Sequence, residues 1–364
     1  MPYLHRIALT IFLFLLLSEV HAQITSEKEQ TDFEKEQQKE LDSFSEDADT
    51  NYIYPYHYQI TGRVYLAKKW TGIDLFNVPG ADRLHYRPNS SYNVGVGVTY
   101  KGITVNLAYG FGFLGFLNPS KELGVTTYLD LQTHMYGRKW LVDVMAQVYK
   151  GFYASPQGTG STDGSYYLRS DLNVNEFGAS VQYVFNNRRF SYRAAFLQNE
   201  WQKKSAGTFL LGAEAYYGTV NGDSSIIPIH VHEATADRNI KQFRHYKFGP
   251  SIGYAYTLVI KKHFFATGSL SANAAVGNST TVSRADGEEN NFGFIPSAFY
   301  RISLGYNSER WAASAIYTSN NISANPGSAI RSVLNASNIR LNLVYRFAAP
   351  KGIKKTVNKV KPNK

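Results

Sequence analysis

Apolar and polar residues alternate along most of this chain, a pattern that puts successive side chains of a β-strand on opposite faces. In Tyr92–Tyr100 the tyrosines and valines fall on one face, whereas Asn, Gly and Thr fall on the other. Ile103–Phe111 repeats the pattern directly after Lys101 and Gly102, so these two segments are expected to form a hairpin. Ile339–Phe347 alternates in the same way. The fold class predicted from this period is all-β.

About fourteen strands are expected from the alternation and from the turns between them. They lie near residues 57–66, 91–101, 103–112, 122–135, 139–153, 175–185, 189–199, 207–220, 225–233, 246–260, 263–275, 291–306, 311–320 and 337–347. The weakest is 225–233, because Ile227, Ile229 and Val231 alternate there with a proline and two histidines. It is kept because the alternation of turn lengths requires it, and twelve strands are the alternative. An even number leaves both chain ends on one side of a membrane barrel.

Strands with one apolar face occur both in soluble sandwiches and in transmembrane barrels. The connections favour a barrel, because short turns alternate with long polar stretches. Asn186-Asn187 and Lys261-Lys262 are short, whereas residues 67–90, 154–174, 276–290 and 321–336 are long. Membrane barrels have short periplasmic turns and long outer loops. Residues 54–348 are therefore predicted to form a transmembrane antiparallel up-and-down β-barrel.

The less apolar face of these strands carries charged residues, as the lumen of a barrel does. The candidate lumen-facing residues are Asp130, Asp143, Arg193, Glu214, Arg301, Arg340 and Arg346. A lone buried charge is costly, so each is expected to have a partner or water. Two interpretations stay open: the charges line an aqueous path, or they pair with one another and block the barrel.

Both ends of the chain differ from the barrel in composition. Residues 1–22 have a short basic start, an apolar run and Val20-His21-Ala22 at the exit, which predicts a signal peptide cleaved after Ala22. Residues 23–53 are rich in Glu, Lys, Gln and Asp and are expected to be a disordered periplasmic arm. Residues 349–364 form a lysine-rich tail with the same expectation. The chain is therefore expected to be exported to the outer membrane.

The amino-acid composition of the chain limits the classes of partner that it could bind. The 27 Tyr and 22 Phe suit strands that end at a lipid–water boundary. The net charge of +10 is spread over strands and tail, which favours lipid phosphates or acidic glycans over nucleic acid. The chain has no Cys, so disulfides, thiol nucleophiles and cysteine metal sites are excluded.

Several segments resemble a bacterial family known as domain of unknown function 4421. They are Tyr86–Asn89, Gly95–Lys101, Tyr183–Phe196, Trp201–Gly207, Asp223–Pro228 and Gly253–Tyr256. The resemblance covers nearly all of the predicted barrel and leaves out the charged arm and the tail. It implies an exported, outer-membrane protein to which no activity is assigned.

Two groups of residues have the types that catalysis or metal binding needs. His230, His232 and Glu233, with Asp237 nearby, resemble metal ligands, but a polar lumen or loop face is favoured, so neither a metal nor another cofactor is predicted. His134 is a candidate base for a hydrolase. No Gly-x-Ser-x-Gly elbow occurs in a strand-to-helix setting, so no catalytic residue is assigned and the chain is predicted not to be an enzyme.

Three functions follow from these expectations. The first is a channel or small-solute pore, and the second is a structural or assembly barrel whose arm and tail recruit a periplasmic protein or contact the cell wall. A lipid-modifying enzyme is third. Outer-membrane lipid is an expected partner of each, and the connection Trp201–Ser205 is expected outside, where its lysines would meet lipid phosphates.

Overall fold

The computed structural model describes residues 38, 44, 47–56, 59–78, 81–100, 103–109, 120–228, 240–283, 287–324 and 330–348. The chain divides into two compact units, residues 1–47 and 48–364. In the first, Gln38, Phe44 and Asp47 are described and have helical backbone. No helix among the described residues is long and apolar enough to cross a membrane. The predicted signal peptide, most of the arm and the tail lie outside the described residues.

The described part of the second unit is built almost wholly of strands. These are β1 (Ile53–Pro55), β2 (Gln59–Val78), β3 (Ala81–Arg87), β4 (Tyr92–Tyr100), β5 (Ile103–Tyr109), β6 (Thr127–Tyr136), β7 (Trp140–Ser155), β8 (Leu168–Val184), β9 (Glu200–Gln202), β10 (Ala206–Asn221), β11 (Ile240–Ile260), β12 (Phe264–Asn273), β13 (Val276–Ser283), β14 (Gly287–Phe294), β15 (Ser297–Asn307), β16 (Trp311–Ser323) and β17 (Arg331–Ala348).

The sheet closes on itself into an antiparallel barrel, as predicted. The closed ring runs β2-β17-β16-β15-β12-β11-β10-β8-β7-β3 and back to β2, and the pairing of β10 with β11 completes it. Within the described residues, β4, β5, β6, β13 and β14 pair with this ring or with each other from outside it, and β1 pairs with β9 in a separate two-stranded sheet. The predicted count of fourteen strands is not confirmed, because ten strands form the ring.

Two predicted strands are wrong in the described residues. Residues 189–199 are not extended, and they contain instead a helical turn of π type at Arg193–Leu197. Residues 225–228 are irregular, and the rest of the predicted strand 225–233 lies outside the described residues. The ring needs neither segment, because β10 pairs directly with both β8 and β11.

Much of what was predicted as long loop is sheet. β2 continues to Val78 and β3 follows it, β13 and β14 form a hairpin, and β16 and β17 extend toward each other. Thr, Ser and Asn dominate here, as in Asn278–Thr281, so no apolar face marks these strands. Backbone groups must still be paired, and ladder hydrogen bonds satisfy them whatever the side chains are.

The barrel is apolar outside and polar inside. In β11, the Phe248 side chain is 63% exposed while its neighbour Lys247 is 2% exposed. The same inversion holds for Leu341 and Asn342 in β17, which are 50% and 6% exposed. In a sandwich the apolar face would be covered by a second sheet. The structure therefore excludes a sandwich for the described residues.

Pairs of aromatic rings lie on the outer surface near one end of the barrel. Trp140 contacts Tyr183 at a ring-centroid distance of 5.0 Å, and Trp311 contacts Tyr345 at 4.6 Å. Phe264 contacts a third tyrosine, Tyr306, at 5.3 Å. This is the end at which residues 137–139, 261–263 and 308–310 connect strands, and it is called the short-turn end below. Such aromatic girdles lie at lipid–water boundaries.

We expect Gly178→Ala to destabilise the barrel by about 1–3 kcal/mol, because overpacking forces neighbours to move. A Cβ at Gly178 would lie 1.9 Å from the ring of Tyr216, which is fully enclosed in the lumen. Gly268→Ala is the matched control, since a Cβ there meets nothing within 4 Å. Urea unfolding of the refolded protein, followed by tryptophan fluorescence, measures both. Equal midpoints for the two variants would contradict the packing described.

Candidate functional site

The lumen is filled at the short-turn end by the connection between β8 and β10. This segment, residues 185–205, is called the plug. Its apolar side chains Phe190, Tyr192 and Phe196 are buried. They belong to a cluster with side chains of the wall, namely Leu141, Val184, Leu210, Ala255, Phe265 and Ile316. The segment that alternation predicts as a strand therefore enters the barrel instead of extending its wall.

Both faces of the predicted strand are buried, which explains why period two failed as a guide. The Ser191 hydroxyl donates to Glu200 Oε2 at 2.5 Å, and the Ser191 N–H donates to Gln202 Oε1 at 2.9 Å. Glu200 is itself fully buried and pairs with Arg138 at 2.6 Å and Arg193 at 3.4 Å. Arg193, a predicted lumen residue, thus belongs to the plug and not to the wall.

Polar side chains of the wall hold the plug by its backbone. Four of them donate to its carbonyl oxygens: Arg63 Nη2 to Leu197 O at 2.8 Å, Ser303 Oγ to Ala195 O at 2.8 Å, Asn307 Nδ2 to Glu200 O at 2.9 Å and Arg346 Nη2 to Gln198 O at 2.5 Å. Arg346, another predicted lumen residue, also stacks on the ring of Tyr56 at 3.9 Å. The two arginines are charge-assisted donors, which make stronger hydrogen bonds than neutral donors do.

Residues 48–56 form an N-terminal clamp on the plug. β1 pairs with β9 in the register Tyr54↔Trp201, and the Lys203 N–H donates to Tyr52 O at 2.7 Å. Ile53 is fully buried. The backbone N–H of Asn51 donates to Asp49 and lowers the pKa of that carboxyl. The predicted boundary between arm and barrel at residues 53 and 54 therefore falls inside an ordered element.

Trp201–Ser205 was expected at the end opposite the short turns, and the structure places it at the same end as those turns. The indole N–H of Trp201 donates to Lys262 O at 2.8 Å, in the turn 261–263 of the short-turn end. The expectation failed because it counted residues 189–199 and 225–233 as strands, and the first of these reversed the side on which this connection falls. β2 begins at Gln59, shortly after the clamp, and Gln59 pairs with Ala348 at the end of β17. The clamp and the end of β17 therefore lie at the same end of the barrel.

Above the plug, Arg301, Asp143 and His134 meet in the middle of the lumen. The first two were predicted to face the lumen, and the third was a candidate base. Arg301 is fully buried and donates to Asp143 Oδ2, while its guanidinium lies 3.7 Å from the ring centre of Phe299. His134 Nδ1 lies 2.7 Å from Asp143 Oδ1. Ser180 Oγ donates to the same carboxylate at 3.2 Å. Cation, carboxylate and imidazole thus share one site, drawn from strands far apart in sequence.

His134 lines a narrow cavity in this layer. Its Nε2 atom is buried and makes no hydrogen bond within the described residues. The other lining side chains are Gln132, Asp143, Val144, Met145, Tyr216, Phe299, Thr318, Asn320 and Ala336. The cavity has room for one or two molecules of the size of water. An Asp–His pair of this geometry can hold or pass a proton, but the cavity admits no larger solute.

A further ion pair and a histidine–glutamate contact complete the layer, and only one of these four residues, Glu214, was predicted from the sequence. Lys247 Nζ lies 3.5 Å from Oε1 of Glu214, a predicted lumen residue, and His245 Nε2 lies 3.5 Å from Glu176 Oε1. Gly218 pairs with His245 on one side and with Glu176 on the other in the strand register, and a Cβ there would clash with both side chains. Lys247 lies within the predicted strand 246–260, between the exposed Tyr246 and Phe248, and extending that strand toward residue 240 would have added His245 on the same face.

The two remaining predicted residues also face inward. Asp130 accepts hydrogen bonds from Tyr149 at 2.5 Å and Gln147 at 2.9 Å. The Arg340 guanidinium lies over the ring of Tyr65 at 4.8 Å. The predicted lumen residues are therefore brought into one interior, as ion pairs, hydrogen bonds and ring contacts.

The far end of the lumen is closed by an apolar cluster. Tyr86 lies at its centre and donates its hydroxyl to Ile226 O at 2.6 Å, from the connection after β10. The buried members are Ile73, Leu75, Val78, Leu84, Tyr86, Tyr149, Phe152, Ala154, Leu172, Val174, Tyr216, Val220, Ile226, Ile227, Ile240, Phe243, Ile322, Ile330 and Leu334. The charged layer, called the polar layer below, is thus enclosed between this cluster and the plug.

The suspected metal ligands His230, His232, Glu233 and Asp237 lie outside the described residues. Among the residues that are described, no three His, Asp or Glu side chains are grouped so that they would hold a metal ion.

Residues 47–347 match the model of a family described as a domain of unknown function, DUF4421. The chain belongs to this family. The resemblance inferred from the sequence motifs is thereby confirmed. No curated protein matches the chain.

Solved structures similar to this one are bacterial outer-membrane barrels. The outer membrane protease OmpT from Escherichia coli is 8% identical, with 80% of this chain and 97% of that chain covered and a TM-score of 0.37. For the translocator domain of the autotransporter NalP from Neisseria meningitidis these values are 9%, 87%, 98% and 0.32. For the outer membrane protein OprG from Pseudomonas aeruginosa they are 10%, 81%, 100% and 0.24.

The prediction that the chain is not an enzyme is corrected by these comparisons, because the similar proteins include a protease. The prediction relied on the lack of a nucleophile elbow, and that motif marks one class of hydrolase only. The similarity is too weak to assign a reaction to this chain.

We expect Arg301→Met to destabilise the protein by about 3–5 kcal/mol, because it leaves the Asp143 carboxylate buried without its cation. The double variant Arg301→Met with Asp143→Asn should recover most of this loss. Arg244→Met, at an exposed position of β11, is the control and should change stability by less than about 0.5 kcal/mol. Unfolding in urea measures all three. If the single and double variants lose equally, Arg301 and Asp143 do not form the pair described.

Proposed function

We propose that this protein is an outer-membrane β-barrel that anchors a periplasmic face and recruits a partner there, rather than an open pore. The observation that carries the proposal is the enclosure of the polar layer between the plug and the apolar cluster. A lumen closed at both ends does not conduct. What the barrel presents to its surroundings is then its surface at the two ends.

The outer surface supports a position in a membrane. Large apolar side chains such as Leu107, Ile252 and Phe209 are more than half exposed. Soluble monomers rarely expose apolar patches beyond a few hundred Å². A closed antiparallel ring also leaves its strands without free edges, as hydrocarbon requires. Export through a signal peptide cleaved after Ala22 is part of the same proposal.

The short-turn end is the end we assign to the periplasm. Single-chain bacterial barrels keep their short turns and both chain ends there. The clamp and Ala348 both lie at this end. Residues 48 and 348 therefore lie at the face that also carries the plug, and we propose that the arm and the tail contact a periplasmic protein or the cell wall.

A gated channel is the second candidate, and the way the plug is held favours it. The wall grips the plug by hydrogen bonds from Arg63, Ser303 and Arg346 to its backbone. These polar side chains would line the passage if the plug moved. The first function expected from the sequence, a pore for a small solute, then requires that both closures open.

We expect a cysteine at Thr318 to be shielded from a small water-soluble maleimide, because this residue lines the enclosed cavity and is 4% exposed. Thr162→Cys, in an exposed loop, is the control and should react within minutes. The chain has no native cysteine, so each variant carries a single thiol. Both should react after denaturation. Similar rates in the folded barrel, together with steady conductance in planar bilayers, would support an open pore instead.

We expect a photo-crosslinking amino acid at Glu309, which is exposed at the short-turn end, to capture a discrete periplasmic protein in living cells. The same probe at Thr162, in the loop between β7 and β8, should not capture it. Gel electrophoresis and mass spectrometry of the adducts provide the measurement. The absence of any specific adduct from positions across the short-turn end would count against recruitment.

A further inference from the structure

The two ends of the barrel differ in charge. At the short-turn end, the described segments 48–56, 137–139, 185–205, 261–263 and 308–310 expose one acidic side chain, Glu309. The same segments expose seven cations, which we call the basic ring: Lys139, Arg188, Arg189, Lys204, Lys261, Lys262 and Arg310. At the opposite end, exposed Glu122, Asp163, Asp223, Glu288 and Glu289 accompany Lys121, Arg83, Arg244 and Arg331. Of the two ends, as far as the described residues go, the short-turn end is the strongly basic one.

Three members of the basic ring precede an outer aromatic residue by one or two positions in the chain. Lys139 directly precedes Trp140, Arg310 directly precedes Trp311, and Lys262 comes two residues before Phe264. Each of these aromatic side chains is at least half exposed. A strand advances about 3.3 Å per residue, so the backbone of these cations lies at most about 3–7 Å beyond the backbone of the aromatic residues.

That depth is the depth of lipid phosphates. The aromatic rings settle at the boundary of the hydrocarbon. The headgroup region beyond it is about 5–8 Å thick on each side of a bilayer. Cations placed one or two residues beyond the rings therefore meet phosphate groups without leaving the wall of the barrel.

The three ring members next to the aromatic residues have no side-chain partner among the described residues. The side chains of Lys139, Lys262 and Arg310 make no hydrogen bond or ion pair with the described residues. Their backbone carbonyls are the groups that the fold uses, and these accept from Val184, Trp201 and Arg346. By contrast Arg189 and Lys204 lie over the ring of Tyr52, at 5.1 and 5.4 Å.

We propose that the basic ring binds the phosphates of anionic phospholipids in the membrane leaflet at the short-turn end. This inference rests on the proposed position in a membrane and adds the lipid class and the leaflet. Lys139, Lys262 and Arg310 make the first contacts, and the ring fixes the depth and tilt of the barrel. An acidic soluble polymer is the competing ligand, but it would not require cations aligned with the aromatic residues.

The test compares the barrel in vesicles of phosphatidylcholine with and without phosphatidylglycerol. The variant Lys139→Gln/Lys262→Gln/Arg310→Gln removes the three cations that precede the outer aromatic residues. The variant Lys121→Gln/Lys150→Gln/Arg244→Gln removes the same charge from exposed positions that lie away from the short-turn end, and it is the matched control. Lipids retained after detergent extraction are counted by native mass spectrometry. Resistance to protease in the vesicles reports insertion separately.

We expect the native protein and the control to retain phosphatidylglycerol over phosphatidylcholine, with a preference that weakens in salt. Each cation near the surface contributes up to about fivefold, so the ring variant should lose at least about tenfold of the preference. Equal retention by the ring variant and the control would overturn the proposal, as would tighter binding of soluble polyglutamate or of inorganic phosphate alone. Failure to insert in any vesicle would instead overturn the proposed membrane position.

Discussion

The closure of the sheet through the pairing of β10 with β11 is the constraint on which the rest of this structure depends. Once the ring is closed, every ring strand has a partner on both sides and its backbone needs no water. The outer face can then be apolar, as Phe248 and Leu341 are. The same closure forces the polar faces into a shared interior. Arg301 and Asp143 are buried there because no other place exists for that face of their strands.

An interior made in this way has to satisfy its own charges. The polar layer does so with the pair Asp143 and Arg301, from strands that are not neighbours, and with the pair Glu214 and Lys247, from the adjacent strands β10 and β11. The plug does the same for Glu200, which meets Arg138 and Arg193. Removing one member of a buried pair costs far more stability than removing both. The charged residues of the layer therefore depend on one another and can only be replaced together. The layer stabilises one arrangement of the barrel and leaves little space for a solute.

Alternation predicted the wall strands well because lipid on one side and a lumen on the other impose period two. It failed where that contrast is absent. Residues 190–196 alternate like a strand, yet both faces are buried in the plug, and only tertiary contacts distinguish the two cases. β13 lacks an apolar face, so its sequence predicts a loop instead of a strand. The lumen residues could be predicted as a set, but their pairing requires the register between strands, which one sequence does not contain.

The closed lumen also determines which parts of the two ends can differ in function. A barrel that conducts needs a continuous polar path, and here apolar side chains from the plug and from the far cluster interrupt it. Within the described residues, the ends therefore differ in their outer surface: one carries the basic ring, the clamp and Ala348, and the other carries acidic and basic loops. Function in such a molecule depends on which surface faces which compartment. The pairing of β1 with β9 matters for this reason, since it joins the clamp to the plug, the element that closes the lumen at this end.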